Sequence, residues 1–517
     1  MAADGSATVC GEFAIERQGV RKGIWLAVAI ALCASIAVLL FSLPKPITDQ
    51  HGFRQTQTAL SVYWMLHGAP LLDYQTPVLG YPWSIPFEFP LYQWIVAGLV
   101  RISGIPVDPV GRIVSYAWLL LSLPPARILF RSYGFRYPAF PLYAALLLAS
   151  PLYLFWGRAF LMETQALSLS IWMLALIRRF TERPHLGTMF ACAIIASAAG
   201  LTKLTTLPPF ILLSGLAILQ ALYRNQGNRW QAMVILGGSA VIFIPALILT
   251  AVWTHHADAL KGANLLAKSL QSDAPMMMQW NFGSLEQRLS LDLAHAVLRT
   301  IIDVTGFAGL VLPLLIGVLL SRNGPGIREA RVALLMIAAF LLPFEIFTNL
   351  HIVHNYYQSA NGVFLIAALA LTLTGFGARF GQRVMMLLTA AMIYSQFIGF
   401  LTGFLPSMLH PAQKEIAIAD YIRGHTPPNS AILIVGLDWS PIVPYYAQRR
   451  ALMIPDWKDK SVRERLDTTD EGLGSLEEGA VIICPSAISA DPFVARLLHM
   501  QIGDRVRVRV EGCDVYA

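Results

Sequence analysis

Apolar runs recur along this chain at a length and spacing that a soluble fold does not use. The first, 24–43, holds about 20 residues, enough to cross a bilayer core. Later runs fall near 113–130, 138–156, 165–177, 187–201, 205–222, 231–253, 297–320, 332–348, 359–376 and 384–404, which predicts about eleven transmembrane helices. Between the first two runs, the stretch 44–112 is mixed, with turns such as Gly80-Tyr81-Pro82-Trp83 separating helical patterns near 55–67 and 90–102. The second pattern offers only about 13 residues between charges, short of the ~17–25 needed to span. Both are therefore read as helices on the outer membrane surface, with Trp64, Trp83, Tyr92 and Trp94 as interfacial aromatics. A spanning second pattern would invert every later loop. Beyond Phe404 the pattern changes to charged, mixed sequence with β-branched runs at 431–435, 481–484 and 506–510. The expected fold is an α-helical polytopic membrane protein with a C-terminal extracytoplasmic α/β domain. Its divisions are an N-terminal segment 1–23, a transmembrane region 24–408 and a tail 409–517.

Composition agrees: 56% of the 517 residues are hydrophobic and 13% charged, where a soluble protein carries about a quarter charged. The net charge of +7 does not indicate a nucleic-acid partner, because the basic residues are spread over short loops rather than gathered on one face. Their placement is topological. Arg17, Arg21 and Lys22 precede the first run, which puts the N-terminus in the cytoplasm. Alternate crossings then place Arg131 and Arg136, Arg178, Arg179 and Arg183, Arg224 and Arg229, Arg322, Arg328 and Arg331, and Arg379 and Arg383 inside. The expected location is a bacterial inner membrane, with the tail in the periplasm. Cys33 and Cys192 lie in apolar runs as small hydrophobes, while Cys484 and Cys513 share the tail and are able to pair in an oxidising compartment.

Ionisable residues at membrane depth are costly and default to functional roles. On this topology they gather at one leaflet. Asp49, His51 and Arg54 follow the first run, and Glu88 stands before Phe89-Pro90. Arg158 and Glu163 close the third run, Lys203 follows Gly200-Leu201-Thr202, and His351, His354, Tyr356 and Tyr357 share one outer turn. Each has a plainer reading: Asp49 as a cap, Arg158 with Glu163 as a local ion pair, Lys203 as a snorkelling side chain, the His/Tyr group as an aromatic belt. Together they suit transfer of a group from a phosphate-linked lipid. A carboxylate takes a proton from an acceptor hydroxyl while Arg or Lys stabilises the departing phosphate. The chain has no G-x-x-x-x-G-K-[ST] loop, and its cytoplasmic loops are too short for a nucleotide-binding domain.

These residues resemble those of GT-C superfamily glycosyltransferases, the protein O-mannosyltransferase-like and aminoarabinose-transferase-like group, over essentially the whole membrane region. The similar features are Asp49 after the first span, Glu88 before Pro90, the Arg158 to Glu163 stretch, Gly-Leu-Thr-Lys203 and His354-Asn-Tyr-Tyr357. Asp438-Trp439-Ser-Pro and Tyr445-Tyr446-Ala-Gln-Arg449 in the tail are similar as well. The resemblance implies a polyprenyl-phosphate sugar donor, an extracytoplasmic glycan, lipid or protein acceptor, and inversion at the anomeric carbon. Asp49 would be the base and Glu163 a second carboxylate, with His51, Arg54, Glu88, Arg158, Lys203, His351, His354, Tyr356 and Tyr357 binding substrate and phosphate. The chain departs from one common form of the pattern, because Gln50 and His51 rather than an acidic residue follow Asp49. Some relatives bind a divalent metal; Glu88 with His51 or His354 has suitable atoms, but no ligand spacing demands one. A lipid-linked-sugar transporter and a non-catalytic scaffold are the competing classes. Neither inverted repeats nor charges at mid-membrane favour the first.

Overall fold

The computed structural model describes residues 4–135, 137–264, 266–455 and 472–517; Arg136 lies outside them. The helices follow the order of the apolar runs. Among the described residues, five are long and apolar enough to cross a membrane: Gln18–Ser42, Val107–Ser132, Arg229–Ala263, Gly362–Phe380 and Gln382–Gly403. Ala139–Ala149, Leu186–Thr202 and Pro208–Arg224 are shorter apolar helices. Proline and glycine account for several interruptions. The run 138–156 breaks at Ser150 and Pro151 into Ala139–Ala149 and Pro151–Trp156, because proline carries no N–H to continue the ladder. The run expected as a single span over 297–320 is instead Leu291–Thr305 and Phe307–Leu320, bent by 115°. Gly306 makes the bend at φ 67°, a left-handed value that glycine adopts without a Cβ penalty.

The stretch after the first helix forms Gly52–Leu66 and Leu91–Ser103, close to the two patterns expected there. Their surroundings differ from expectation: Trp64, Trp83 and Tyr92 are buried in protein and do not form an interfacial belt. The tail packs over this loop in one apolar cluster containing Val78, Leu79, Trp83, Leu433 and Leu452, while Tyr92 is buried against Gly111, Ser115 and Phe160.

The tail holds a five-stranded sheet in the order β2-β1-β3-β5-β4. Strands β1 (Ala431–Val435), β2 (Arg450–Ile454) and β3 (Glu478–Ile483) are parallel, and β4 (Arg507–Val510) and β5 (Cys513–Tyr516) form an antiparallel pair beside β3. The outer edge of β2 is closed by the first loop: Ala451 N donates to Pro77 O at 3.0 Å, Met453 N to Val78 O at 3.0 Å, and Gly80 N to Ala451 O at 3.1 Å. Tyr445 and Tyr446 add a second tether, donating to Asp108 at 2.5 and 3.0 Å. Tyr446 Oη also accepts from Ile47 N at 2.9 Å.

Cys484 and Cys513 are disulfide-bonded, Cys192 is buried, and Cys33 lies exposed on the first helix. The disulfide spans 29 positions, so removing it by Cys484→Ala is expected to lower stability by roughly 3–4 kcal/mol through the freed chain entropy. Thermal unfolding of the purified protein checks this, and an unchanged melting temperature would contradict it.

Candidate active site

Breaks and ends of helices bring the charged residues together at one end of the bundle. Asp49 lies in the turn between the first helix and Gly52–Leu66, and Arg158 follows the end of Pro151–Trp156. Glu163 opens the helix Glu163–Glu182, where the positive end of the helix dipole favours a carboxylate. Lys203 follows the end of Leu186–Thr202, and His354 to Tyr357 precede the helix Gly362–Phe380.

Three ion pairs organise the site. Arg158 Nη1 donates to Asp49 Oδ2 at 2.7 Å, with side chains 1% and 5% exposed. Lys203 pairs with Glu163, each 4% exposed, and Arg54 pairs with Glu88. Arg158 and Glu163 therefore do not form the local pair that their spacing allowed; each is committed to a residue far along the chain. Asp49 Oδ1 accepts from Gln55 Nε2 at 2.7 Å and from Gln50 N at 3.1 Å. Burial pushes the Asp49 pKa upward, but Arg158 and Arg112 outweigh it and hold the carboxyl below its ordinary value. Glu88 is likewise lowered, burial being outweighed by Arg54.

Arg112 ends the mixed stretch 44–112 and gives no signal of a role in the sequence. In the structure it is fully buried, 3.6 Å from Asp49, donating to the carbonyls of Ser42, Lys45 and Pro46. It ties the end of the first helix to the site. Gln55 was missed as well, since an uncharged residue one turn into a helix gives no signal in the sequence. Asp49, Glu88 and Glu163 each face a cation, Asp49 faces two, and Arg112 faces Asp108 as well as Asp49.

A group of rings stands beside these pairs. The His51 ring lies 5.1 Å from His354, 5.2 Å from Tyr356 and 5.7 Å from Trp156 between centroids. His51 itself has φ 44°, a left-handed turn that aims its ring at this group. Lys203 Nζ sits 4.3 Å from the Tyr357 centroid and 5.4 Å from that of Tyr356, linking the rings to the Glu163 pair. His351 lies behind them, 4.6 Å from Phe344 and 6.2 Å from Tyr357. Arg158 Nε and Nη2, Trp156 Nε1 and Glu163 Oε2 are buried polar atoms without a hydrogen-bond partner among the described residues. A buried polar atom left without a partner calls for one, and a polar ligand is such a partner. No group of three His, Cys, Asp or Glu gathers among the described residues. Glu88 is paired with Arg54.

Burial pushes the His351 pKa down to about 3, from an ordinary 6.5. Between these values the unfolded chain binds a proton that the folded chain does not. Stability from this group is complete above pH 6.5 and is lost toward pH 3, at about 1.4 kcal/mol per unit. The melting temperature in detergent is expected to fall from pH 7 to pH 5, and His351→Gln to lessen that fall; an equal slope in both proteins would contradict it.

No family model matches the sequence, and no curated protein matches it. Solved structures do. ArnT from Cupriavidus metallidurans bound to undecaprenyl phosphate superposes with a TM-score of 0.62 at 15% identity, over 95% of this chain and 97% of ArnT. The archaeal oligosaccharyltransferase AglB from Archaeoglobus fulgidus, in complex with an inhibitory peptide and a dolichol-phosphate, matches at TM-score 0.50 and 12% identity, over 89% of this chain and 69% of AglB. The mycobacterial arabinofuranosyltransferase AftD matches at TM-score 0.50 and 15% identity, over 96% of this chain but 40% of AftD. These neighbours are GT-C superfamily glycosyltransferases, and the chain has their fold.

Proposed function

We propose that this protein is a multi-pass membrane glycosyltransferase that moves a sugar from a polyprenyl-phosphate donor to an acceptor hydroxyl, with inversion at the anomeric carbon. The observation that carries this reading is the buried Asp49 carboxylate with Arg158 and Arg112 upon it, set in a GT-C fold with unpartnered Arg158 N–H groups beside it. A lipid phosphodiester bears one negative charge and offers acceptor oxygens to those N–H groups. The acceptor oxygen attacks the anomeric carbon opposite the phosphate, and its new bond forms as the bond from that carbon to the phosphate oxygen breaks. The electron pair leaves on the phosphate, where Arg158 meets the growing charge. Asp49 takes the acceptor proton. Its lowered pKa suits a late transfer, because a hydroxyl half-bonded to carbon has become strongly acidic. Glu163, paired with Lys203, orients the acceptor through its free oxygen, while Arg54, Glu88, His51, His351, His354, Tyr356 and Tyr357 shape the donor pocket.

About eleven spans, a cytoplasmic N-terminus and a periplasmic tail in a bacterial inner membrane complete the proposal, with divisions at 1–23, 24–408 and 409–517. The Cys484–Cys513 disulfide supports an oxidising compartment for the tail. The test is reconstitution in liposomes with labelled polyprenyl-phosphate sugars and an envelope extract as acceptor. Label passing from lipid to acceptor supports the transferase, label that only changes leaflet indicates a transporter, and inert lipid with every donor indicates a scaffold.

A further inference from the structure

We infer that Tyr446 is a positioning residue for Asp49, holding from the tail the turn that carries the carboxylate; this rests on the reading of Asp49 as the base of a transferase. Residues 43–51 lie between the first helix and Gly52–Leu66 without regular structure, and Pro44 and Pro46 bring no N–H to a local ladder. The turn is buried, with Ile47 0% and Thr48 2% exposed, so its backbone groups need partners from elsewhere in the chain. They come from two sides. From the bundle, Arg112 donates to the carbonyls of Ser42, Lys45 and Pro46. On the side of the tail, Ala412 N donates to Thr48 O at 3.1 Å, Thr48 Oγ1 donates to Ala412 O at 3.0 Å, and Ile47 N donates to Tyr446 Oη at 2.9 Å.

Two neighbouring tyrosines stand at this junction, and their contacts differ. Tyr445 Oη donates to Asp108 Oδ1 at 2.5 Å. Tyr446 Oη donates to Asp108 Oδ2 at 3.0 Å and also accepts from Ile47 N, two residues before Asp49. Asp108 in turn faces Arg112, one turn further along the helix Val107–Leu121, and Arg112 stands 3.6 Å from Asp49 Oδ2. One hydroxyl therefore meets both arms that place the base: the backbone leading into Asp49 and, through Asp108, the guanidinium behind it. Misplacing a reacting group by about 1 Å costs on the order of 100-fold in rate, so a turn without a ladder of its own depends on such a partner. A tether that only docks the tail would use both tyrosines alike. Positioning of the base needs Tyr446 far more than Tyr445.

The experiment compares the full-length wild type, Tyr446→Phe and Tyr445→Phe in nanodiscs, with labelled polyprenyl-phosphate sugars as donors and an envelope extract as acceptor. Melting temperature and hydrogen exchange over residues 47–50 are followed beside kcat and KM. Each variant keeps its ring and loses one bond to Asp108, so the two are expected to melt alike. Tyr446→Phe is expected to lower kcat about 10- to 100-fold while the KM for the lipid donor stays level, because Arg158 keeps its place. It is also expected to speed exchange at Ile47, whereas Tyr445→Phe keeps the wild-type kcat and the wild-type exchange over 47–50. A wild-type kcat in Tyr446→Phe, a change confined to KM, or an equal loss in both variants with exchange over 47–50 unchanged overturns the inference and leaves the transferase reading in place. A wild type that is itself inert with every donor overturns that reading, and the positioning role with it.

Discussion

Asp49→Asn is expected to insert and to bind undecaprenyl phosphate, yet to lose about 1,000-fold or more in transfer, the scale of a missing general base. The geometry separates the two effects. Asparagine keeps an oxygen for Gln55 Nε2 and Gln50 N, so the turn after the first helix retains its local bonds. The carboxylate charge is gone, leaving Arg112 and Arg158 with one negative partner fewer. A lipid phosphate then becomes the main counter-charge for both guanidinium groups, so the KM for the lipid donor is expected to stay level or fall while kcat collapses. Single-turnover transfer together with lipid binding checks this. Transfer above a tenth of the wild-type rate would remove Asp49 as the base, and joint loss of binding and folding would make it structural.

Lys203→Ala is expected to cost about 3–5 kcal/mol of stability, because it strands Glu163 as a buried charge without its partner. The pair itself is worth far less than this loss, since bringing both charges out of water offsets most of their attraction. The double variant Lys203→Met with Glu163→Leu is therefore expected to recover most of the melting temperature and none of the transfer. That contrast separates a catalytic pair from a packing device. If the double variant were as active as the wild type, the pair would have no part in chemistry; if it were as unstable as Lys203→Ala, the stranded charge would not be the cause.

The order of the helices and the cluster of polar residues were legible in the sequence because both follow from the bilayer: spans must be apolar, and charges at their ends are conspicuous. Their partners were not. Asp49 and Arg158 are 109 positions apart and Glu163 and Lys203 are 40, so pairing depends on packing that no local pattern records. Arg112 was hidden because a lone arginine at the start of an apolar run looks like any topological charge. Strand β2 begins at Arg450, directly after Arg449, and β5 has four residues, so neither rises above its surroundings. The three buried aromatics of the first loop were assigned to the membrane surface because their neighbours are remote in sequence: Arg450, over the Trp64 ring, lies in the tail, Phe160 beside Tyr92 lies in the bundle, and 375 positions separate Gln75 from its partner Arg450.

That separation has a consequence for how the protein is made. Residues 76–81 have no partner strand until the chain has been synthesised past Ile454, by which time all the membrane helices have been produced. Arg54 and Glu88 lie on either side of this segment, so the loop that carries them gains its last backbone partners only when the tail has been made. A chain that stops before β2 leaves Pro77 O, Val78 O and Gly80 N without their partners.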